Sequence, residues 1–265
     1  MKNWLPFVKS DPTVAVIRLA GLIGGQGPGA LNDVTLRPII EKAFSKGKPV
    51  AVALEVNSPG GSPVQSSLIG ARIRRLAEEK NIPVIAFVED VAGSGGYWLA
   101  AAADEIYADS SSVVGSVGVI SASFGLDEFI KTHGIERRIY TAGESKSMLD
   151  PFRPAAPEDV ARLKTLLEDV HVNFKEHITA RRKGKLPEDQ DLFTGEIWLA
   201  RRALELGLID GIGHLLPVMK ERFGKKVRLR SYSVKRGLLS RFSTQVVHEA
   251  VLSIEERAAY ARFGL

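Results

Sequence analysis

The sequence has no cysteine among its 265 residues, and this absence excludes several kinds of chemistry. Disulfide bonds, thiolate nucleophiles and cysteine-ligated metal sites are all ruled out. The histidine, aspartate and glutamate residues also lack the spacing typical of metal ligands, so we expect neither a metal nor a cofactor. A chain without cysteine is compatible with the reducing cytoplasm, and we expect a cytoplasmic location.

Long apolar runs are missing as well. The N-terminal stretch has a short apolar patch, but Lys9, Asp11 and Pro12 interrupt it before it reaches the length of a secretory signal or a membrane-spanning helix. We therefore predict no transmembrane segment. The composition, 45% hydrophobic and 25% charged, is that of a globular chain with one large domain or two small ones.

The net charge of +5 is concentrated in one segment. Residues 220–242 contain nine lysine or arginine residues and one glutamate. Such a segment is typical of a solvated face or a subunit contact, and a peripheral contact with an anionic membrane surface is the alternative. Because the segment lacks the interleaved aromatic residues of a single-strand binder, we expect no nucleic-acid partner.

Apolar strand-like runs alternate with amphipathic helical stretches, which predicts an α/β fold with a parallel or mixed sheet covered by helices. The predicted strands are 13–21, 49–56, 83–89, 105–109 and 137–141, and the predicted helices are near 33–46, 63–80, 95–103 and 125–133. A long helix follows Pro157 and ends at Gly184. A further helix, a short strand at 208–210 and another helix come after it.

Two glycine-rich turns follow predicted strands. In EVNSPGGSPVQSS (55–67), the SPGG turn exposes backbone N–H groups that can hold an oxyanion. The alternative is an ordinary strand-to-helix turn, for which these residues are also typical. In AGSGG (92–96), Ser94 stands between glycines where a strand meets a helix. This spacing approaches the G-x-S-x-G nucleophile elbow, with Ala92 in place of the first glycine. Ser94 is therefore the candidate nucleophile.

Two more polar residues lie in distinctive surroundings. Ser116 lies in GSVGV (115–119), a glycine-framed apolar run, where the alternative is a buried hydroxyl bonded to backbone. Lys146 lies in TAGESKSMLDPF, after a predicted strand and a glycine, where the alternative is a solvated surface charge.

In their order and spacing, the SPGG, SGGYW and GSVGV motifs and the Lys146 loop resemble the S49 family of serine peptidases, the signal peptide peptidase A and SohB group. The resemblance runs from about residue 13 to residue 215. It implies a ClpP/crotonase-like fold, a spiral of repeated β-β-α units, that assembles into a homo-oligomer. It also implies an extended apolar peptide as substrate, such as a residual signal peptide or a membrane-protein fragment.

The resemblance also implies roles for individual residues. Ser94 would be the nucleophile, Lys146 the general base, and Ser116 a hydrogen-bond partner of the lysine amine. The backbone N–H groups of Gly61 and Gly95 would form the oxyanion hole. The other positions expected to bind substrate are Ser58, Pro59, Gly60, Ser62, Gly115, Val117 and Gly118.

A Ser-Lys dyad needs a lysine whose pKa burial has lowered from about 10.4 toward neutrality. We therefore expect Lys146 to be desolvated, with Met148, Leu149 and Phe152 as apolar neighbours. A close Glu144 would oppose this, because its carboxylate would hold the lysine charged.

Histidine is the competing base. A ClpP-like Ser-His-Asp triad would use His133, which lies between the candidate serine and lysine, although THG there is typical of a helix end. Its third member would be Asp104, Asp109 or Asp127. We expect His171 and His177 to be exposed on the long helix. A crotonase-type acyl-CoA enzyme or a non-catalytic scaffold would share the fold without needing the serine and lysine.

Membrane-bound relatives of this kind carry an N-terminal spanning helix, and long bacterial forms carry a tandem second domain that contributes one member of the dyad. The sequence indicates a short form with both catalytic residues in one chain. We divide it into a peptidase domain, 1–235, and an amphipathic helical tail, 236–265. We expect the tail to pack on its own domain, on a neighbouring subunit, or in the peptidase groove as a peptide ligand. Its apolar stripe consists of Val246, Val247, Val251, Leu252 and Ile254.

Overall fold

The structure, a computed structural model, describes residues 11–25, 31–233 and 256–265. Its strands are β1 (Thr13–Ala20), β2 (Ala51–Ser58), β3 (Val84–Gly93), β4 (Glu105–Ala108), β5 (Val113–Gly115), β6 (Ile197–Leu199), β7 (Gly211–Ile212) and β8 (Arg228–Tyr232). Its helices are α1 (Asp33–Ser45), α2 (Pro63–Lys80), α3 (Gly95–Ala101), α4 (Asp127–Thr132), α5 (Pro157–Arg181), α6 (Ala200–Glu205) and α7 (Leu215–Phe223). A 3-10 helix covers Glu144–Ser147, and the C-terminal stretch is helical over 256–261, which we call the C-terminal helix.

The described strands form one mixed sheet around a parallel centre. Its main path runs β6-β5-β3-β2-β1-β8, and only the β5–β6 pair on this path is antiparallel. The long strand β3 pairs with β4 along its first half, at Ile85–Val88, and with β5 along its last residues, at Val91–Gly93. The α/β fold predicted from the sequence is confirmed. On this side, β3 therefore changes its partner from β4 to β5 before it ends at Gly93.

The core explains why the sequences of the central strands are nearly continuous apolar runs. Alternate residues of a strand point to opposite faces of the sheet, and a parallel sheet covered on both faces buries both sets. In β1, Ala15 and Ile17 lie in the large cluster beneath α1, α2 and α3. Val14 and Val16 lie in the smaller cluster that Met219 of α7 covers.

Buried polar contacts tie α5 to the sheet. Arg182, which follows α5, is 2% exposed and donates to the Gly207 carbonyl at 2.6 and 2.9 Å and to the Asp210 carboxylate at 2.6 Å. Burial raises the pKa of Asp210, but its hydrogen bonds from Arg182 and Lys185 outweigh this and lower the pKa overall. The Asp210 carboxylate also accepts from the Ile106 N–H of β4 at 2.8 Å. This network holds α5 over the helix that follows Ser94.

One predicted strand is wrong and three strands were not predicted. Residues 137–141 have no regular structure: Arg137 pairs with Asp150 at 2.9 Å and Tyr140 is 90% exposed. A strand needs a hydrogen-bonding neighbour, and no described strand pairs with this stretch. The strand expected at 208–210 begins directly after it, at Gly211. The strands β5, β6 and β8 were missed: β5 and β6 have only three residues each, and β8 lies in the basic segment.

The stretch 119–156, which we call the exposed segment, differs from the rest of the described chain. None of its residues with a described side chain is buried, although it contains α4 and the 3-10 helix. The rest of the chain between β1 and β8 forms the packed body.

Two predicted segments, the helical tail and the basic segment, fall partly outside the described residues. The apolar stripe of the tail and residues 234–242 of the basic segment are among the residues that the structure does not describe. Among the helices that the structure describes, none is long and apolar enough to cross a membrane.

Candidate active site

Ser94 lies at the junction where β3 ends and α3 begins. Its φ of +50° and ψ of −120° are rare for a residue with a side chain. The turn is fixed because the Ser94 N–H donates to the Gly115 carbonyl at 2.8 Å, which extends the β3–β5 pairing by one residue. A serine in a constrained strand-turn-helix junction is typical of a nucleophile elbow.

The SPGG turn packs directly against this junction. Gly60 has φ +106°, and a Cβ there would lie 2.8 Å from the Cβ of Ser94 and 2.9 Å from the Gly95 nitrogen. Only glycine permits this approach. The fully buried Ser58 hydroxyl holds the turn, since it donates to the Gly21 carbonyl at 2.7 Å and accepts from the Gly60 N–H at 3.2 Å.

Two backbone N–H groups beside Ser94 have no acceptor among the described residues. They belong to Gly61 and Gly95, which line the same pocket as Ser94. The Ile23 N–H donates to the Gly60 carbonyl at 2.8 Å, and the Ser62 N–H donates to the Ile23 carbonyl at 2.9 Å. These bonds fix the turn and leave the two glycine N–H groups available to an oxyanion.

Ser116 lies in the same pocket on the adjoining segment. It is 8% exposed and has φ +53°, so Ser94 and Ser116 are both non-glycine residues with positive φ. Its N–H donates to the Glu196 carbonyl at 2.6 Å, and its carbonyl accepts from Gly118 at 2.9 Å. Its hydroxyl has no partner among the described residues. The structure therefore brings together Ser94, Ser116 and both predicted oxyanion glycines.

The pocket has a volume of about 490 Å³ and a mainly apolar wall. Trp98, one helical turn after Ser94, packs against Phe174 of α5 with ring centroids 5.2 Å apart. Other apolar residues that line the pocket include Leu22, Val119, Ile120, Val170 and Phe193. No carboxylate lies among the described lining residues. Such a wall suits an apolar ligand.

The prediction that His171 and His177 are exposed is wrong. His177 stacks on Trp98 with ring centroids 4.2 Å apart, and burial lowers its pKa to about 4. His171 lines the pocket with its Nε2 3.3 Å from the Val117 carbonyl oxygen. Both belong to α5, whose apolar stripe was the available signal that this helix covers another surface.

The residues of the alternative triad lie elsewhere. His133 is exposed at the end of α4 and is not among the pocket residues. Asp104 pairs with Arg74 at 2.7 Å, Asp109 contacts His214 at 2.8 Å, and Asp127 lies in the first turn of α4. No described contact joins these residues to Ser94, so the His133 triad has no geometric support.

Lys146 lies on the 3-10 helix of the exposed segment. Its side chain is exposed and is not among the described residues that line the pocket. The neighbours Met148, Leu149 and Phe152 are only partly buried. The desolvation expected for Lys146 is therefore not present in the single chain. The side chain of Glu144 lies outside the described part of the structure, and its effect on Lys146 stays a prediction.

The positions expected to bind substrate divide into two groups. Pro59 and Gly118 line the pocket. The others are not among the lining residues: Ser58 and Val117 are buried, Ser62 caps α2, Gly60 packs on Ser94, and Gly115 packs on the Trp198 ring.

The peptidase groove was one of the three positions expected for the tail, and residues from the C-terminal helix and its last turn do lie at the site. Ala259 and Arg262 line the pocket together with Ser94. The sequence did not indicate which residues of the tail these are, because the contact joins residues about 165 positions apart.

Comparison with known proteins bears on this site. A family model described as Peptidase family S49 matches residues 76–226, which is more than half of the chain and includes Ser94, Ser116 and Lys146. The chain belongs to peptidase family S49. The SPGG turn and the C-terminal helix of this S49 chain lie outside the matched residues.

Relatives of the S49 chain carry different names. It is 44% identical over 286 residues to the Na(+)/H(+) antiporter NhaA of Brucella melitensis, a match that covers 100% of this chain and 39% of that protein. It is 30% identical over 223 residues to the chloroplastic serine protease SPPA of Arabidopsis thaliana, covering 81% of this chain and 33% of the relative. The probable protease SohB of Haemophilus influenzae is 28% identical over 239 residues, with 90% and 66% covered. The chain thus spans between one third and two thirds of these relatives.

A solved structure of the 1510-N membrane-bound stomatin-specific protease, with one serine mutated to alanine, also matches the S49 chain. The TM-score is 0.47 at 16% identity, and the match covers 86% of this chain and 100% of the other.

Proposed function

We propose that the chain is a serine endopeptidase with Ser94 as its nucleophile. The observation that carries the proposal is the placement of Ser94 in a constrained turn beside two N–H groups without described acceptors, at the wall of an apolar pocket. Each of these features serves acyl transfer: an accessible hydroxyl, donors for the oxyanion and a binding surface for the substrate.

The proposed reaction has two steps. The Ser94 hydroxyl attacks the peptide carbonyl while its proton passes to the Lys146 amine, and the N–H groups of Gly61 and Gly95 hold the oxyanion. The protonated lysine then returns the proton to the leaving amine, which departs as the acyl-enzyme forms. Water, deprotonated by Lys146, hydrolyses the acyl-enzyme and frees Ser94. Ser116 orients the lysine amine.

The proposed substrates are extended apolar peptides, such as residual signal peptides or fragments of membrane proteins. The aromatic wall formed by Trp98, Phe174 and Phe193 supports this choice, because it would bury apolar side chains of a bound peptide. The crotonase-type acyl-CoA enzyme and the scaffold remain the competing functions.

We also propose that the active form is a homo-oligomer in which a second copy covers the exposed segment. Lys146 must lose water to act as a base, and the single chain leaves it exposed. Large apolar side chains of the same segment are exposed too: Ile120 by 64%, Phe124 by 84%, Phe129 by 57% and Ile135 by 55%. Apolar groups of this size are typical of a surface that a partner covers.

The first experiment compares four single variants in hydrolysis of an apolar peptide. We expect Ser94→Ala and Lys146→Ala to abolish cleavage, and His133→Ala to keep it. His171→Ala is included because His171 is the histidine that lines the pocket, and we expect it to keep measurable cleavage. Loss in His171→Ala together with activity in Lys146→Ala would replace the dyad by a histidine base.

A fluorophosphonate label tests the function without a known substrate. We expect covalent labelling of the wild type at Ser94 and none of Ser94→Ala. An unlabelled wild type that also cleaves no peptide contradicts the peptidase and favours the acyl-CoA enzyme or the scaffold.

Mixing variants tests the assembly. If a neighbouring copy supplies Lys146, a mixture of Ser94→Ala and Lys146→Ala subunits regains part of the activity that each lacks alone. Light scattering gives the mass of the full chain at micromolar concentration. A monomer there contradicts the oligomer.

We further propose a cytoplasmic location with a peripheral membrane contact through residues 220–242. Lys220, Lys225 and Lys226 are exposed, which supports an electrostatic contact. Membrane-associated protein should then be released at 1 M salt, where exposed charges are screened over about 3 Å. Protein that only detergent releases would contradict this contact.

A further inference from the structure

The C-terminal helix and its last turn contact the carboxyl ends of three neighbouring strands. After β1, a Cβ on Gly21 would lie 2.9 Å from the Glu256 carboxylate. In β2, the Asn57 carbonyl accepts a hydrogen bond from the Tyr260 hydroxyl at 2.8 Å. In β3, Gly93 meets the ring of Phe263. Three contacts across three strands determine where this helix lies.

Phe263 brings the helix next to the nucleophile. Its ring occupies the space that a Cβ on Gly93 would need, and it is 9% exposed. Gly93 directly precedes Ser94. Burial raises the pKa of Tyr260 to about 12, so its hydroxyl stays protonated and able to donate at neutral pH. The C-terminal helix is therefore one wall of the catalytic pocket.

This wall gives the pocket a positive charge. Arg262 and His171 are the ionisable side chains among the described lining residues, and no carboxylate lies among them. Arg262 is exposed at the rim, whereas His171 is bound to the Val117 carbonyl. An arginine presents several N–H donors in a planar fork that matches a carboxylate.

We propose that Arg262 binds a carboxylate of the peptide substrate. The enzyme would then prefer apolar peptides that carry a negative charge at the end of the pocket formed by the C-terminal helix. This inference rests on the proposed peptidase function and adds a specificity residue to it. The carboxylate can come from the free C-terminus of the peptide or from an acidic side chain, and these two sources are separable by experiment.

The test uses three kinds of apolar peptide, all of equal length, and the full-length enzyme. The first peptide ends in a free carboxylate, the second in an amide, and the third in an amide with glutamate scanned along the chain. We expect kcat/KM to be about 10- to 100-fold higher for the free acid or for one glutamate position than for the plain amide, since a hydrogen bond to a charged group has about this effect. The peptide that shows the preference identifies the source.

Variants then connect the preference to Arg262. In Arg262→Gln, the ratio of kcat/KM between charged and uncharged peptides should fall to near one. Phe263→Ala removes the anchor of the helix and should lower the same ratio, with circular dichroism reporting that the fold is kept. Arg257→Gln is the matched control, because Arg257 is exposed on the same helix and is not among the pocket residues. It should keep the wild-type ratio.

The outcomes separate this inference from the proposed function. A wild type that cleaves all three peptides equally, or an Arg262→Gln enzyme with the wild-type ratio, overturns the role of Arg262 and leaves the peptidase standing. A wild type that cleaves none contradicts the peptidase. In that case, the affinity of Ser94→Ala protein for the fluorescently labelled peptides still decides on Arg262: equal affinities overturn it, and a preference lost in the Ser94→Ala, Arg262→Gln double variant supports it.

Discussion

The packed body and the exposed segment each carry one member of the proposed dyad, and they position it in different ways. Ser94 is held by strand register, by a bond to Gly115 and by close contact with Gly60. Lys146 lies in a stretch where no described side chain is buried. A motif at a strand end takes its geometry from the sheet, whereas a motif in a solvated segment needs another surface to position it. We infer that the second copy supplies that surface.

The same residue types occur in both regions, so matched substitutions can test the comparison. A residue of the packed body can be paired with a residue of the same type in the exposed segment. If the regions respond alike, the distinction between them is wrong.

The largest effect is expected for a buried arginine. Arg182→Met leaves the Asp210 carboxylate without its buried partner, which should lower the free energy of unfolding by about 3 to 5 kcal/mol. Arg138→Met removes a surface ion pair with Glu136 and should cause no measurable change. Urea unfolding followed by circular dichroism gives both values. Equal losses in the two variants would contradict the comparison.

The second effect concerns acid stability. Burial lowers the pKa of His177 from 6.5 to about 4, so between these values the unfolded chain binds a proton that the folded chain does not. Stability should therefore fall as the pH drops from about 6.5 to about 4, by on the order of 3 kcal/mol from this residue. His177→Gln should flatten that part of the stability curve.

The control for this effect is His133→Gln in the exposed segment. It should keep the wild-type dependence on pH, because the His133 side chain makes no buried contact. A wild-type slope in His177→Gln would show that other groups cause the loss of stability in acid.

The third effect is on activity. Gly60→Ala places a Cβ 2.8 Å from that of Ser94, and the resulting shift of the nucleophile should lower kcat/KM about 100-fold, equivalent to about 2.7 kcal/mol. Gly143→Ala has a similar positive φ, +100° against +106°, but meets no atom within 4 Å. It therefore controls for backbone strain alone and should have a much smaller effect. A comparable loss in Gly143→Ala would mean that the exposed segment is as tightly constrained as the SPGG turn.

Much of the sheet and half of the site could be predicted from the sequence. The apolar runs located β1 to β4, and the spacing of SPGG and SGG located the turns that follow β2 and β3. The strand predicted at 137–141 failed because strand pairing requires a partner strand, which the neighbouring residues along the chain do not reveal. The role of Lys146 stays a prediction, because its desolvation requires a partner surface that the single chain does not provide.

The sequence by itself indicated the turn that carries Ser94. Glycine is the residue type that tolerates the positive φ and the close approach at Gly60, and a buried strand followed by a helix leaves Ser94 at their junction. Tertiary structure decided which other side chains share the pocket. His171, Phe174 and Arg262 reach Ser94 only because a long helix and the C-terminal helix pack across strand ends, and such contacts depend on burying complementary surfaces that are distant in sequence.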